Sequence, residues 1–391
     1  MLSLEEALEK LLTSVTPLPA ETVPLEQACG RFLAEDVASP NALPLFDNSA
    51  MDGYAVRSSD GLEPRKIVAE VPAGKASQRP IAPYECARIF TGSPVPAGAD
   101  AVVMQEETRV EGSIVTLTEA VKPWENIRFR GEDVKEGAIL GRAGARVNAQ
   151  LAALLAACGA PAVKVHRRPR VSILATGSEL REPGAQLNPG EIFESNRAMI
   201  SMLCKELGAD AAVSRIVEDT LPATVSAIRT GAEADAIITC GGVSVGEYDF
   251  VKTAIAQQWG SDPVFWRLAI KPGKPFLYAR VLGKPLFGLP GNPVSALVTF
   301  WLLVRPALLR LAGAADLLPA FSWGELAEDI LNAGGRRHFM RVTLGWDGRI
   351  HSAGTQASHR LASLAAANAL LDLPPGANWK AGQRAQVILL S

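Results

Sequence analysis

The stretch AIITCGGVSVGEYDF, residues 236–250, decides the fold. Ala236 to Cys240 form a short apolar run without polar alternation, two glycines follow, and Phe250 opens a helical pattern after a polar loop. A run of that kind predicts a strand buried on both faces, and strand, Gly-rich loop and helix make half of a βαβ unit. The same unit recurs on either side. VSILAT (171–176) precedes a helix after Asn196 that ends at Gly208, and AAVSRIV (211–217) precedes a helix from about Pro222 to Gly231. A further helix spans about Phe250 to Gln258, FLYARVLGKPLFGLP (276–290) reads as two strands around a Gly-Lys turn, and PVSALVTFWLLVRPALLRL (293–311) reads as a helix. This alternation predicts a parallel, doubly wound α/β sheet with helices on both faces.

The flanks have a different texture. Residues 1–15 predict a helix, with Ser3 and Glu6 spaced as a capping box and Leu4, Ala7, Leu8 and Leu11 on one face. From Val23 to about Val163, short β-branched stretches (IVAEV, ARIF, AVVM, SIVTL) are separated by Pro, Gly and Asp clusters, and a short Ala/Leu helix, Gln150 to Cys158, closes the region at Gly159. At the other end, HFMRVTLGWDGRIHS (338–352) carries a hairpin signal at its Trp-Asp-Gly turn, and AQVILL (385–390) reads as another strand. The layout is β, then α/β, then β.

The chain has 391 residues, 48% of them hydrophobic and 20% charged, enough apolar material for more than one core. Lysine and arginine number 39 against 41 aspartates and glutamates. That balance argues against nucleic-acid binding through bulk charge. The longest apolar run, Pro293 to Val304, is shorter than the roughly 20 residues that span a bilayer, so no membrane anchor is expected. The acidic N-terminus does not fit a signal peptide. Five scattered cysteines without a CxxC pair, and only four histidines, disfavour a zinc site and suit a reducing, cytoplasmic setting.

The candidate chemistry lies beyond the predicted strands, where open α/β sheets bind ligands. Glu179 follows VSILAT, Asp219 follows AAVSRIV and Asp249 follows AIITC. Three carboxylates at three strand ends suit a cation that holds a phosphate, although each alone also suits a helix N-terminus. LAIKPGKPF (268–276) constrains Lys271 and Lys274 with two prolines and a glycine, an arrangement suited to an oxyanion or to a rigid surface turn. FGLPGNPVSA (287–296) passes from a strand through a Gly-rich turn into a helix and offers the Ser295 hydroxyl. In the β region, PLFDNSAMDGYAVR (44–57) gathers Asp47, Asn48, Ser49 and Asp52, RIFTGSPVPAGADAVV (88–103) centres on Thr91, and NIRFRGEDVKEG (126–137) clusters Arg128, Arg130, Glu132 and Asp133. Consecutive Asx turns are the commoner explanation of the first two segments, and a solvated charge run is the default for the third.

FDNSAMDGYA, TGSPVPAGADAVV, ATGSEL, GGVSVGEYDF, KPGKP and GLPGNPVSA, in this order, resemble the molybdopterin molybdenumtransferases of the MoeA type and the related E domains of gephyrin and the plant homologue. The match runs over essentially the whole chain. The resemblance implies a multidomain α/β plus β fold with a central adenylyltransferase-like domain, two β-rich N-terminal domains and a C-terminal β-barrel-like domain. Its division would be residues 1–20, an N-terminal helix packing on the α/β domain; 21–45 with 139–167, domain I; 46–138, domain II; 168–316, domain III; and 317–391, domain IV.

The implied reaction inserts molybdate into adenylylated molybdopterin with release of AMP and needs a divalent cation, Mg²⁺. The dithiolene of the pterin supplies the sulfur ligands. Asp52, Thr91, Glu179, Asp219 and Asp249 would be catalytic, with Glu179, Asp219 and Asp249 holding the metal. Lys271, Lys274, Pro275, Ser295, Arg341 and Ser358 would bind molybdate. Asp133, Gly241, Gly242, Ser244, Gly246, Gly291 and Asn292 would bind the substrate. Gly354-Thr355-Gln356 stands where many relatives have a Gly-His-Gln step. The resemblance further implies a homodimer whose cleft takes Asp52 and Thr91 from the second protomer. An adenylyltransferase would be its upstream partner and a molybdoenzyme or chaperone its downstream one. Two rival functions for the same motifs are molybdopterin adenylylation with ATP and a non-enzymatic dimeric scaffold.

Overall fold

The computed structural model describes residues 1–243, 250–260 and 263–390. A six-stranded sheet lies at its centre, in the order Asp210–Val217, Arg170–Thr176, Ala236–Cys240, Lys284–Leu289, Leu277–Val281, Phe265–Trp266. The first four strands are parallel, as the alternation predicts. The fifth runs antiparallel to them, because the Leu282-Gly283 turn joins Leu277–Val281 directly to Lys284–Leu289, and Phe265–Trp266 pairs antiparallel with the fifth. Both turn residues have positive φ, 51° and 78°, the geometry that suits a two-residue hairpin.

Helices cover both faces. On one, the N-terminal helix Leu4–Ser14 buries Leu4, Ala7 and Leu11 in the same core as Val171, Ile173, Ile238 and Phe287. Its capping box forms, with Glu6 N–H donating to Ser3 Oγ (3.1 Å) and Ser3 N–H to Glu6 Oε2 (2.8 Å). Helix Asn196–Glu206 and the long helical segment Pro293–Leu311 complete this face. On the other face, Leu221–Gly231 and Phe250–Trp259 pack Ala227, Ile228, Val251 and Ile255 against Leu174, Ile237 and Leu286.

The segment Pro293–Leu311 has 19 residues and is apolar enough to cross a bilayer by composition alone, yet 89% of its apolar window is buried inside the fold. It belongs to the core. A π turn at Phe300–Val304 precedes Pro306, whose ring cannot take part in regular i→i−4 bonding.

The N-terminal β region contains a six-stranded sheet between residues 53 and 117, with separate apolar clusters that hold Tyr54 and Val56, and Ala55 and Ala87. Nearer the α/β region, Ala20–Pro24 pairs antiparallel with Ala162–His166, and helix Ala149–Ala157 covers that pair, capped by Asn148 and stopped at Gly159. The C-terminal region is a closed barrel. Its six-stranded sheet begins with Ile270–Lys271 beside Arg337–Leu344 and ends with Ala369–Leu373, which pairs back onto Arg337–Leu344.

The barrel is fixed to the α/β core by shared burial. Phe339, Leu364 and Leu370 enter the core cluster of the central sheet, and Trp301 Nε1–H donates to the Leu389 carbonyl (3.0 Å). Glu5 and Arg337 form an ion pair between the N-terminal helix and the barrel.

Candidate active site

The parallel strands end at a cleft of about 670 Å³. Gly177 and Glu179 reach it after the first strand, Asp219 after the second, Cys240 to Val243 after the third, and Pro290 to Pro293 after the fourth. The site therefore lies where an open α/β sheet presents its strand ends and loops. Its volume is that of a small-molecule site.

Two of the predicted carboxylates meet here. Ser178 N–H donates to Asp219 Oδ2 (3.0 Å) and Asp219 N–H donates to Ser178 Oγ (3.3 Å), so the loops that carry Glu179 and Asp219 are held side by side. The third, Asp249, lies outside the described residues, as do Ser244 and Gly246. Among the described residues, no three His, Cys, Asp or Glu side chains form a metal cluster. Glu179 and Asp219 are oxygen donors, which fit a hard divalent cation.

Gly241 and Gly242 have φ of 92° and 67°. A Cβ at Gly241 would lie 2.8 Å from the Thr176 carbonyl oxygen, and one at Gly242 would lie 2.8 Å from Val251 Cγ2. The glycine pair is therefore required by the cleft wall itself, whatever approaches from the ligand side. Cys240 is buried at the cleft, and burial pushes its thiol pKa up, so it supplies no thiolate near neutral pH.

The KPGKP and GLPGNPVSA segments converge beside this cleft. Lys271 and Lys274 are exposed, Pro275 lines the cleft, and Gly273 packs on Thr299, since a Cβ there would be 2.6 Å from Thr299 Cγ2. Thr299 Oγ1–H donates to the Ser295 carbonyl (2.8 Å), so KPGKP lies over the helical turn that bears the buried Ser295. Val294 N–H donates to the Ser358 carbonyl (3.2 Å), which brings the barrel loop to the same turn. Gly291 and Asn292 line the cleft, and the Gly291 carbonyl accepts a bond from Asn196 Nδ2 (2.7 Å).

Arg341 is fully buried in the barrel wall. Its Nε donates to Ser363 Oγ (3.1 Å) and its Nη2 to the carbonyls of Thr355 (2.8 Å) and Ala357 (3.2 Å), while Nη1 has no partner. Gln356 bonds the Arg341 backbone through both ends of its amide. Next to it, His338 is buried with Nε2 unpartnered, and burial together with Lys271, Arg341 and Arg336 pushes its pKa down to about 4.

Asp52 and Thr91 are in the N-terminal β region and do not line this chain's cleft. They do form a unit. Thr91 donates its backbone N–H (2.7 Å) and its hydroxyl (2.8 Å) to Asp52 Oδ1, and those bonds hold the carboxyl below the usual aspartate range. Asp133 is exposed in the turn whose backbone bonds the Leu43 carbonyl, also away from the cleft.

Sequence reasoning missed several cleft residues. Glu194, Asn196 and His359 line it, and a lone polar residue outside a glycine-rich motif gave no signal. Glu194 is buried, accepts the Arg197 N–H (2.8 Å) and lies 3.5 Å from Arg197 Nε.

Three family models match the chain in order. Residues 2–159 match the model of the MoeA N-terminal region (domain I and II), residues 172–310 a probable molybdopterin binding domain, and residues 324–390 the MoeA C-terminal region (domain IV). Molybdopterin molybdenumtransferase 2 of Mycobacterium tuberculosis is 41% identical over 367 residues, 90% of each chain. The molybdopterin molybdenumtransferase of Haemophilus influenzae is 38% identical over 384 residues, 95% of this chain and 94% of that one. The crystal structure of the molybdopterin biosynthesis moeA protein from Pyrococcus horikoshii OT3 superposes with a TM-score of 0.85 at 30% identity, covering both chains completely. With its three regions matched in order and its strand-end cleft in place, the chain belongs to the molybdopterin molybdenumtransferase family of the MoeA type.

Proposed function

We propose that this chain transfers molybdenum from molybdate to the dithiolene of adenylylated molybdopterin, releasing AMP in a reaction that needs a divalent cation. The observation that supports this best is the pairing of two unlike sites. Glu179 and Asp219 share the glycine-walled cleft, and Lys271, Lys274, Ser295 and the Ser358 loop gather at its Pro275 edge. A phosphate-bearing pterin suits the first and a tetrahedral oxyanion the second.

In this reading Glu179 and Asp219, with Asp249, hold Mg²⁺, which would neutralise charge on the pyrophosphate link. Lys271 and Lys274 hold molybdate by charge, and Pro275 keeps them at the cleft edge. The dithiolene brings the sulfur ligands, so a protonated Cys240 is no obstacle. Asp52, kept ionised by Thr91, would enter the cleft of a second protomer in a homodimer and orient a polar group of the substrate there. Asp133, Gly241, Gly242, Ser244 and Gly246 would bind the substrate. We place the enzyme in the cytoplasm, between an adenylyltransferase that supplies its substrate and a molybdoenzyme or chaperone that takes the product.

The test is AMP release from adenylylated molybdopterin by the purified protein with Mg²⁺, with and without molybdate. Molybdate-dependent release is expected, and its loss in Glu179→Ala with an unchanged circular dichroism spectrum. Joint Lys271→Ala and Lys274→Ala should raise the molybdate requirement more than the substrate KM. Full activity in Glu179→Ala would reject the metal site, and adenylylation of molybdopterin with ATP by this chain alone would replace the reaction.

A further inference from the structure

The described lining of the cleft is acidic. Among the described residues that line it, Glu179, Glu194 and Asp219 are carboxylates and none is lysine or arginine. Arg197 offsets Glu194. A phosphate that enters without its cation meets carboxylates at the strand ends, and repulsion between like charges in a partly enclosed site costs far more than in water. One described lining side chain is an imidazole, that of His359, which comes from the barrel across from the strand ends.

His359 is exposed, yet its backbone is fixed on both sides. Before it, Arg341 Nη2 holds the carbonyls of Thr355 and Ala357, and the Ser358 carbonyl accepts the Val294 N–H. After it, Ser363 Oγ–H donates to the Arg360 carbonyl (2.8 Å) and itself accepts from Arg341 Nε. One buried guanidinium thus clamps the chain on either side of a histidine whose ring is free to meet a ligand. Lys271 and Lys274 stand on the KPGKP segment but do not line this part of the cleft, which leaves them to the oxyanion site.

We propose that His359 is a substrate-binding residue that donates a ring N–H to the phosphate of the adenylyl group, and so supplies a contact from domain IV, across the cleft from the strand ends. The proposal rests on the transferase reading for the identity of the ligand and deepens it by naming a phosphate contact.

The experiment measures binding of AMP and of adenosine to the full-length protein by calorimetry, with Mg²⁺ and with chelator. His359→Ala should weaken AMP by about tenfold, the order of one charge-assisted hydrogen bond, and leave adenosine unchanged. His359→Gln, which keeps an N–H donor, should recover part of the loss, and the AMP defect should be larger with chelator. Unchanged AMP affinity in His359→Ala overturns the proposal, as does equal weakening of AMP and adenosine, or a defect confined to the molybdate requirement. If the AMP-specific loss is found while the wild-type protein fails to release AMP from the adenylylated pterin, the phosphate contact stands and the transferase reading falls.

Discussion

Replacing Arg341 by methionine separates two accounts of this residue. The guanidinium makes three side-chain hydrogen bonds, to Ser363, Thr355 and Ala357, from a fully buried position. Bonds to a charged group contribute about 1.5–3 kcal/mol each, and the low end applies because two share Nη2, which gives roughly 4–5 kcal/mol. Against this, Nη1 is buried without a partner, which costs about 1–3 kcal/mol and is relieved by an apolar side chain of similar length. The net expectation is a loss of about 2–3 kcal/mol, read as a lower urea midpoint at unchanged slope. Because the same bonds place Ser358 and His359, kcat/KM should fall for molybdate and for the adenylylated pterin together. An unaltered midpoint with a defect confined to the molybdate KM would refute the clamp and make Arg341 a molybdate ligand.

His338 gives a pH prediction. Its pKa is pushed to about 4, below the ordinary histidine value of about 6.5, so the unfolded chain takes up the proton first. Stability is then intact above about pH 6.5 and is lost as the pH falls toward 4, by about 2 kcal/mol after allowance for solvent screening. His338→Gln should flatten urea midpoints measured across that window, and an unchanged slope would show that another group sets it. Gly241→Ala should destabilise the protein by about 2–4 kcal/mol and abolish AMP release, because the new Cβ meets the Thr176 carbonyl in a backbone conformation that L residues rarely adopt. A variant as stable and active as the parent would show that the loop shifts freely.

Local signals in the sequence were dependable where local chemistry decides the outcome. The Ser3–Glu6 box, the hairpin at Gly283 (its turn is Leu282-Gly283, one residue before the expected Gly-Lys), the stop at Gly159 and the strands around VSILAT and AIITC all depend on neighbours within a few residues. What could not be read depends on distant pairing. Ile270–Lys271 joins the barrel sheet beside Arg337 and His338, some seventy residues on, and no periodicity announces a two-residue strand. His359 carries no motif, and its place at the cleft follows only from the Arg341 clamp and the closure of the barrel. The hydrogen bonds between Asp52 and Thr91 were equally hidden, although both residues stood in motifs already singled out.

The separation of charge in the site has a physical logic of its own. Carboxylates and ammonium groups brought to about 4 Å in a partly enclosed cleft would attract each other by several kcal/mol and neutralise the field that either set presents to a ligand. Here Glu179 and Asp219 line the strand-end cleft, while Lys271 and Lys274 are held at its edge by a Pro-Gly-Lys-Pro turn that cannot collapse inward, since Gly273 already packs on Thr299. A substrate with a cation-bridged phosphate at one end and an oxyanion acceptor at the other fits such a divided surface. Each half would then bind its own ion without cancelling the other. On this argument the cost of keeping unlike charges apart is met by backbone rigidity at KPGKP. A Pro275→Ala change that lets Lys274 swing toward Glu179 should weaken Mg²⁺ and molybdate dependence together rather than either alone.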